Sequence, residues 1–238
     1  MKIPKFKDFI IYEDEDYAVI NKPPYMATLD DRANDYNILS LAKEYNDSLT
    51  PCHRLDKDTS GVLILSKSEE AYKNIAIQFE KREVEKLYHA ISDGIHETDP
   101  ILIEAPLGNQ IRGKVKIDFA GGKASATKIR TAQLYKYHTL FECKPVTGRT
   151  HQIRAHLSHI GAPIAGDTTY GGELVFLSKI KRKFNLKKGT EEQPLIKRFA
   201  LHARSISFVN LKGEKVFYEA EYPKDFTVLV KQLEKNVV

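Results

Sequence analysis

The sequence predicts an α+β fold, one domain built on a mixed, largely antiparallel sheet with flanking helices. Two observations carry this: residues 101–144 read mostly as strands and turns, and helical spacing is confined to four separate segments. A third supports a single unit over residues 1–238: the chain has no internal repeat and no low-complexity linker.

In chain order, Phe9-Ile10-Ile11-Tyr12 and Tyr17-Ala18-Val19-Ile20 read as a hairpin around the acidic turn 13–16. Pro24 ends the second strand, because proline cannot donate to a ladder. Ile38, Leu41, Ala42 and Tyr45 stand at helical spacing and mark a helix over 35–45. The apolar run Val62-Leu63-Ile64-Leu65 reads as a buried strand. Ser68 then caps a helix whose apolar face is Ala71, Ile75 and Phe79. Strands are expected over 87–92, 115–119, 124–131 and 139–143, with a turn at Gly121-Gly122. Thr147-Gly148-Arg149-Thr150 reads as a turn with a hydroxyl cap, followed by Ile153, Leu157 and Ile160 at helical spacing. Gly161 supplies the stop and Pro163 follows it. Strands over 205–209 and 216–220 flank the Lys212-Gly213 turn, and a last helix from about Asp225 carries Phe226, Leu229 and Leu233.

The composition, 42% hydrophobic and 29% charged, is that of a soluble globular protein. No apolar run approaches the roughly 20 residues that span a bilayer, and the basic start Met1-Lys2-Ile3-Pro4-Lys5-Phe6-Lys7 lacks the apolar stretch of a signal peptide. Cys52 and Cys143 form no framework and stand in no paired metal spacing, so a reducing cytoplasm is the expected location. The net charge of +5 is concentrated: Lys179, Lys181, Arg182, Lys183, Lys187, Lys188, Lys197 and Arg198 face only Glu191 and Glu192. A basic stretch of this kind, within residues 173–198, suits a polyanion, and a solvated, mobile insertion is the alternative. Phe176, Ile180, Phe184 and Leu186 interleave with it and imply partial packing.

The most informative run is His53-Arg54-Leu55-Asp56-Lys57-Asp58-Thr59-Ser60-Gly61-Val62-Leu63, a polar turn feeding directly into a buried strand. A carboxylate anchored this way is held in fixed geometry. A half-buried aspartate stays ionised only beside a positive partner, and Arg54 and Arg154 are available. Either Asp56 or Asp58 can be a nucleophile, and either can simply shape an Asx turn with Thr59-Ser60.

Other chemistries fail on spacing. Gly108-Asn109-Gln110-Ile111-Arg112-Gly113-Lys114 matches seven positions of a phosphate-binding loop, but Val115 stands where Ser or Thr is required, and a strand is expected where the loop needs a helix. His151, His156 and His159 fall at about 0°, 140° and 80° around a helix, so no face presents all three to a metal. Cys52 and His53 are adjacent in an extended segment and point apart, which disfavours a thiol dyad.

With these residues in place, the chain resembles the RluA-type pseudouridine synthases over most of its length, from about residue 8 to 238. Glu13 to Pro23 resembles the family's first motif, and His53-Arg54-Leu55-Asp56 with Thr59-Ser60-Gly61 its catalytic motif. Lys86-Leu87-Tyr88-His89-Ala90 is similar to the segment carrying its active-site tyrosine, and Gly148 to His156 to its third motif. Pro163-Ile164, Gly166-Asp167, Tyr170-Gly171 and Leu201-His202-Ala203 follow in the family's order.

The resemblance implies a single catalytic domain with a central cleft and the isomerisation of uridine to pseudouridine in RNA. It implies Asp56 as nucleophile, Tyr88 stacked on the flipped base, Arg154 paired with the aspartate, and Arg54 near the extruded nucleotide. Asp58 falls in the variable part of the motif and is left to the turn. No cofactor and no metal are implied. The expected partner is RNA, with Arg149, His151, Lys181, Arg182, Lys183, Lys187 and Lys188 as further contacts, and no membrane or obligatory protein partner; a monomer is expected. Large-subunit ribosomal RNA is the favoured substrate, with transfer RNA or a dual substrate as the alternative. A non-catalytic RNA-binding protein or chaperone is the reading from another class. Because the first motif starts by about Asp8, the small RNA-binding domain many relatives carry is not expected ahead of it. Pro24-Tyr25-Met26 departs from the small residue and glycine usual there.

Overall fold

The hairpin expected at the start of the chain forms, and its second strand stops at Lys22 ahead of the two prolines, in a computed structural model describing residues 4–29, 36–186 and 189–236. The strands are β1 (Ile10–Glu13), β2 (Tyr17–Lys22), β3 (Thr50–Pro51), β4 (Ser60–Ser66), β5 (Glu85–Asp93), β6 (Ile101–Glu104), β7 (Ala126–Leu134), β8 (His138–Pro145), β9 (Leu201–Val209) and β10 (Lys215–Glu219). The helices are α1 (Ile38–Tyr45), α2 (Glu69–Glu80), α3 (Gln152–His159), α4 (Leu177–Ile180) and α5 (Lys224–Lys235). Among the described residues no helix is long and apolar enough to cross a membrane. The chain packs as two units, Met1–Leu87 with His202–Tyr222 and Tyr88–Leu201 with Pro223–Val238.

In the first unit the strand order is β1-β2-β4-β9, with β3 on β4 and β10 on β9. All pairings are antiparallel except β4 with β9, where Ser60 meets His202 and Gly61 meets Ala203 in parallel. Every residue of β4 is buried, as its unbroken apolar run requires of a strand flanked on both edges. Ser68 caps α2 by accepting from the Ala71 N–H, and Ala71 and Ile75 seal one face with Val19, Val62, Ile64 and Phe208. Helix α1 starts at Ile38, capped by Asn37 through the Ser40 N–H; Asp35 lies outside the described residues.

Gly61 decides how closely β4 and β9 approach. Its φ is +115°, and a Cβ there would stand 2.1 Å from the Ala203 carbonyl oxygen. Gly61→Ala is therefore expected to lose about 3 kcal/mol of stability through backbone strain and overpacking. A urea midpoint equal to that of the native protein would contradict this.

In the second unit the order is β5-β8-β7-β6, antiparallel throughout. Helix α5 buries Phe226, Leu229 and Leu233, and α3 ends as expected, with Gly161 at φ +78° and the Ala162 N–H bonded back to the Leu157 carbonyl. Two expectations are corrected here. Residues 115–119 form no strand; Ile111 and Lys114 close a tight turn on Arg112 and Gly113, both at positive φ, and Val115 packs with Leu107, Ala155 and Tyr170. Side-chain packing on α3 takes Val115 out of the ladder that its alternation suggested. The heptad ending at Lys114 still leads into no helix, so the phosphate-loop resemblance stays empty. The second correction is at α3, which has no hydroxyl cap: its N-cap is His151, in the left-handed region at φ 53°, with no side-chain cap bond. Thr147 Oγ1 donates instead to Gln152 Oε1 at 2.6 Å.

Candidate active site

Asp56 sits in the turn before β4, which closes by a 3.0 Å bond from the Thr59 N–H to the Asp56 carbonyl. The residues on both sides of it are clamped. Thr28 Oγ1 accepts from the Leu55 N–H (3.1 Å) and donates to the Leu55 carbonyl (2.9 Å), in a buried exchange. Lys22, with no exposed surface, donates Nζ to the carbonyls of Lys57 (3.1 Å), Pro23 (2.9 Å) and Met26 (2.8 Å). A buried ammonium needs such acceptors, and these tie the turn to the end of β2. Downstream, His202 Nε2 donates to the Ala220 carbonyl (3.1 Å), which leaves Nδ1 to accept from Ser60 Oγ at 2.9 Å. The outcome is a half-buried carboxylate on a loop whose main chain has little freedom to shift. Arg54 is exposed and Asp58 is half-buried on the same turn.

His53 serves the scaffold. Its Nε2 accepts from the Ile64 N–H at 3.2 Å, and its ring packs on Phe79 at 5.2 Å. Burial, with a smaller contribution from the Lys86 charge, pushes its pKa down to about 3, so the ring is neutral and free to accept. Cys52 donates to the Thr50 carbonyl, and burial raises its thiol to about 11. Neither residue activates the other. Lys86, its Nζ 5.5 Å from the centre of the Phe79 ring, is pushed down to about 8 by burial.

The His53 shift makes acid destabilising. Below the ordinary histidine pKa of 6.5 the unfolded chain takes up a proton that the folded ring refuses until about pH 3. Stability therefore falls as pH drops through that window. His138, held near 4 by burial, adds in the same direction. Lowering pH from 7 to 4 is expected to cost roughly 3 kcal/mol through His53, and His53→Gln should remove that share. An unfolding free energy equally pH-dependent in the variant would sink the assignment.

In the second unit, Tyr88 is half-buried on β5 opposite Cys143 of β8. Arg154 projects from α3 into a bidentate pair with Asp167, Nε to Oδ2 at 2.6 Å and Nη2 to Oδ1 at 2.9 Å. Its guanidinium lies 4.8 Å from the Tyr170 ring centre and 4.1 Å from that of Phe199. Planarity lets one group meet a carboxylate at its edge and rings on its faces. Asp167 is 2% exposed and is held in a turn whose Gly172 admits no Cβ, since one would sit 1.9 Å from the Ile164 carbonyl. Sequence reasoning quoted Asp167 and Lys22 as motif members without giving either a charge role. The signal available for both was a charged residue beside chain-breaking Pro or Gly at the end of an apolar run.

The three histidines at and after the start of α3 have separate tasks. His151 Nδ1 lies 3.1 Å from the Tyr170 hydroxyl, which itself accepts from the Val115 N–H at 2.8 Å. His156 is buried, bonded to the Ala105 carbonyl and Thr127 Oγ1, and desolvation lowers its pKa. The His159 ring lies tilted against Phe119, their centres 6.3 Å apart. Gln152 holds the Arg149 turn through the Arg149 N–H (3.1 Å), leaving the Arg149 side chain exposed.

The basic stretch is less uniform than its charge count. Lys181, Arg182 and Lys183 are exposed, while Lys187 and Lys188 lie outside the described residues. Arg198 does not belong to the charged surface: it is 3% exposed and pairs with Asp225 through two bonds of 2.8 and 3.0 Å, tying α5 to the loop before β9. Lys179 pairs with Glu173 at 2.8 Å. Ile180 is buried and Leu186 exposed, so the interleaved apolar residues pack only in part.

Residues 16–159 match the family described as RNA pseudouridylate synthase. The ribosomal large subunit pseudouridine synthase C of Buchnera aphidicola is 36% identical over 217 residues, covering 88% of this chain and 65% of that protein. The ribosomal large subunit pseudouridine synthase D of Zymomonas mobilis is 33% identical over 239 residues, covering 94% and 72%. The chain thus spans a little under two thirds of the synthase C relative. Among solved structures, human RNA Pseudouridylate Synthase Domain Containing 4 superposes with a TM-score of 0.73 at 23% identity, covering 96% of this chain and 94% of that one. At that identity the likeness speaks for the fold.

Proposed function

The chain belongs to the RNA pseudouridylate synthase family, and from that premise we propose that it isomerises uridine to pseudouridine in RNA with Asp56 as nucleophile. The observation that supports this most is the turn itself: Thr28 and Lys22 hold the main chain on either side of Asp56. Nothing in a merely structural turn calls for that much restraint.

The reaction breaks the bond from ribose C1′ to uracil N1 and forms one from C1′ to C5. N1 gains a proton and C5 loses one, so atoms and charge balance without any change of oxidation state. The base leaves the stack first, at a cost of a few kcal/mol. Asp56 then adds to the nucleotide or assists a glycal intermediate. Arg154 takes the part of the basic residue that the family resemblance pairs with the aspartate. Tyr88 stacks on the flipped base and assists removal of the C5 proton. Arg54 occupies the space the nucleotide vacates.

Large-subunit ribosomal RNA is the proposed substrate, in line with the names of the relatives. Pseudouridine mapping of total RNA from cells with and without the gene tests it: a site lost from that RNA supports the proposal, and a site lost only from transfer RNA replaces it. The exposed Lys181, Arg182 and Lys183, together with Lys187 and Lys188, are proposed to grip phosphates. Replacing the five with Gln should weaken RNA binding and flatten its salt dependence, by roughly 0.7–0.9 in log–log slope for each phosphate no longer neutralised. An unchanged slope removes the segment from the interface.

A further inference from the structure

Within the first unit, apart from the Asp56 turn, the start of the chain and α1 enclose an open cavity of about 440 Å³. That volume is in the range of ordinary small-molecule sites, ~300–1,000 Å³. Its floor is apolar: Phe6 and Leu41 are each 3% exposed. Its walls include Tyr36 and Tyr45, both 44% exposed, a large ring area to leave in water. Tyr45 is fixed in place, since its hydroxyl donates to Glu13 Oε2 at 2.9 Å and its ring packs against Phe6 at 5.4 Å. Lys5 and Lys7 line the same cavity with exposed side chains. Among the described residues neither ammonium has a carboxylate partner. Glu44, also lining the cavity, has no cationic one.

We propose that this cavity is a second RNA subsite, which takes one unpaired nucleotide of the substrate by stacking its base on Tyr36 and Tyr45. Lys5 and Lys7 neutralise the phosphates on either side. Exposed rings next to unpaired cations are the combination that holds single-stranded nucleic acid, because every base has a π-face and every linkage a charge. Glu44 adds a preference. A carboxylate accepts from an exocyclic amino group, which cytosine offers and uracil does not. The subsite therefore favours an amino-bearing base such as cytidine over uridine, and it differs in this from a site built to receive uridine. A proline-rich peptide would also fit between tyrosines, but two unpaired lysines favour the polyanion.

The inference rests on RNA being the substrate class, and its test is kept independent of turnover. Fluorescence anisotropy with labelled eight-residue oligocytidylate and oligouridylate reads the subsite directly. Tyr36→Ala is expected to weaken oligocytidylate binding about tenfold. Tyr45→Phe, which keeps the ring and the fold, should bind as the native protein does, whereas Tyr45→Ala should not. Lys5→Gln with Lys7→Gln should reduce the salt slope by about 1.4, the value for two single-strand phosphates. Glu44→Gln should narrow the preference for oligocytidylate. Unchanged affinity in Tyr36→Ala together with an unchanged slope in the lysine pair overturns the proposal. So does a proline-rich peptide whose binding, but not that of RNA, is lost with the tyrosines. If the native protein forms no pseudouridine yet binds these oligonucleotides through the tyrosines, the isomerase reading fails while the subsite stands.

Discussion

Asp56→Ala is expected to abolish pseudouridine formation, by roughly 10⁴-fold or more, while leaving the fold and RNA binding in place. The substitution should be structurally mild because the clamps on this turn use the main chain. The Thr59 N–H bonds the Asp56 carbonyl, Thr28 holds Leu55, and Lys22 holds the Lys57 carbonyl. None of these bonds needs the Asp56 carboxylate. Turnover can be read as tritium released from RNA carrying 5-tritiated uridine, since the C5 hydrogen must leave. Asp58→Ala, on the same turn, should cost no more than a few-fold. If both variants turned over like the native protein, Asp56 would be no nucleophile. An RNA chaperone, by contrast, would release no tritium in any form and would keep its annealing activity in Asp56→Ala.

Asp167→Ala is expected to be the most destabilising single change around Arg154, at about 3–5 kcal/mol, because it takes the bidentate carboxylate away from a buried guanidinium. Both partners are nearly inaccessible, at 6% and 2% exposure, so water cannot substitute for the lost acceptor. The drop should appear as a lower urea midpoint. Asp167→Asn, which keeps one carbonyl acceptor, should lose less. Removing both charges as Arg154→Met with Asp167→Leu should recover most of the stability, since a buried pair can often be replaced by apolar side chains of similar volume. That double variant should still be inactive if Arg154 acts as the partner of Asp56 as proposed. Recovered turnover would reduce the arginine to a structural role.

Much of the local structure was legible in the residues. The Ser68 cap with Ala71 and Ile75, the break at Pro23-Pro24 and the Gly161 stop each rest on one residue's own stereochemistry or on a short period. The polar turn at Asp56 was equally visible, as charged and hydroxyl side chains running into four apolar residues. Where prediction failed, a side chain outside the local pattern had intervened. Val115 left its expected strand for the interior beside Ala155 and Tyr170, and Thr147 gave its hydroxyl to Gln152, so the expected cap at α3 did not form. Arg198 counted as surface charge until Asp225 appeared opposite it.

The sequence by itself determined the α+β class, the order of elements and the place of the reactive turn, because periodicity, prolines, glycines and caps act over a few residues. Only the tertiary structure decided what restrains that turn: Thr28 from 27 residues upstream of Leu55, Lys22 from 35 residues before Lys57, and His202 from 142 residues beyond Ser60. It also decided that Arg154 pairs with Asp167 between two aromatic rings. Such partners leave no periodic trace. A hydrogen bond or ion pair depends on where two side chains meet in space, and that is settled only when the chain has packed.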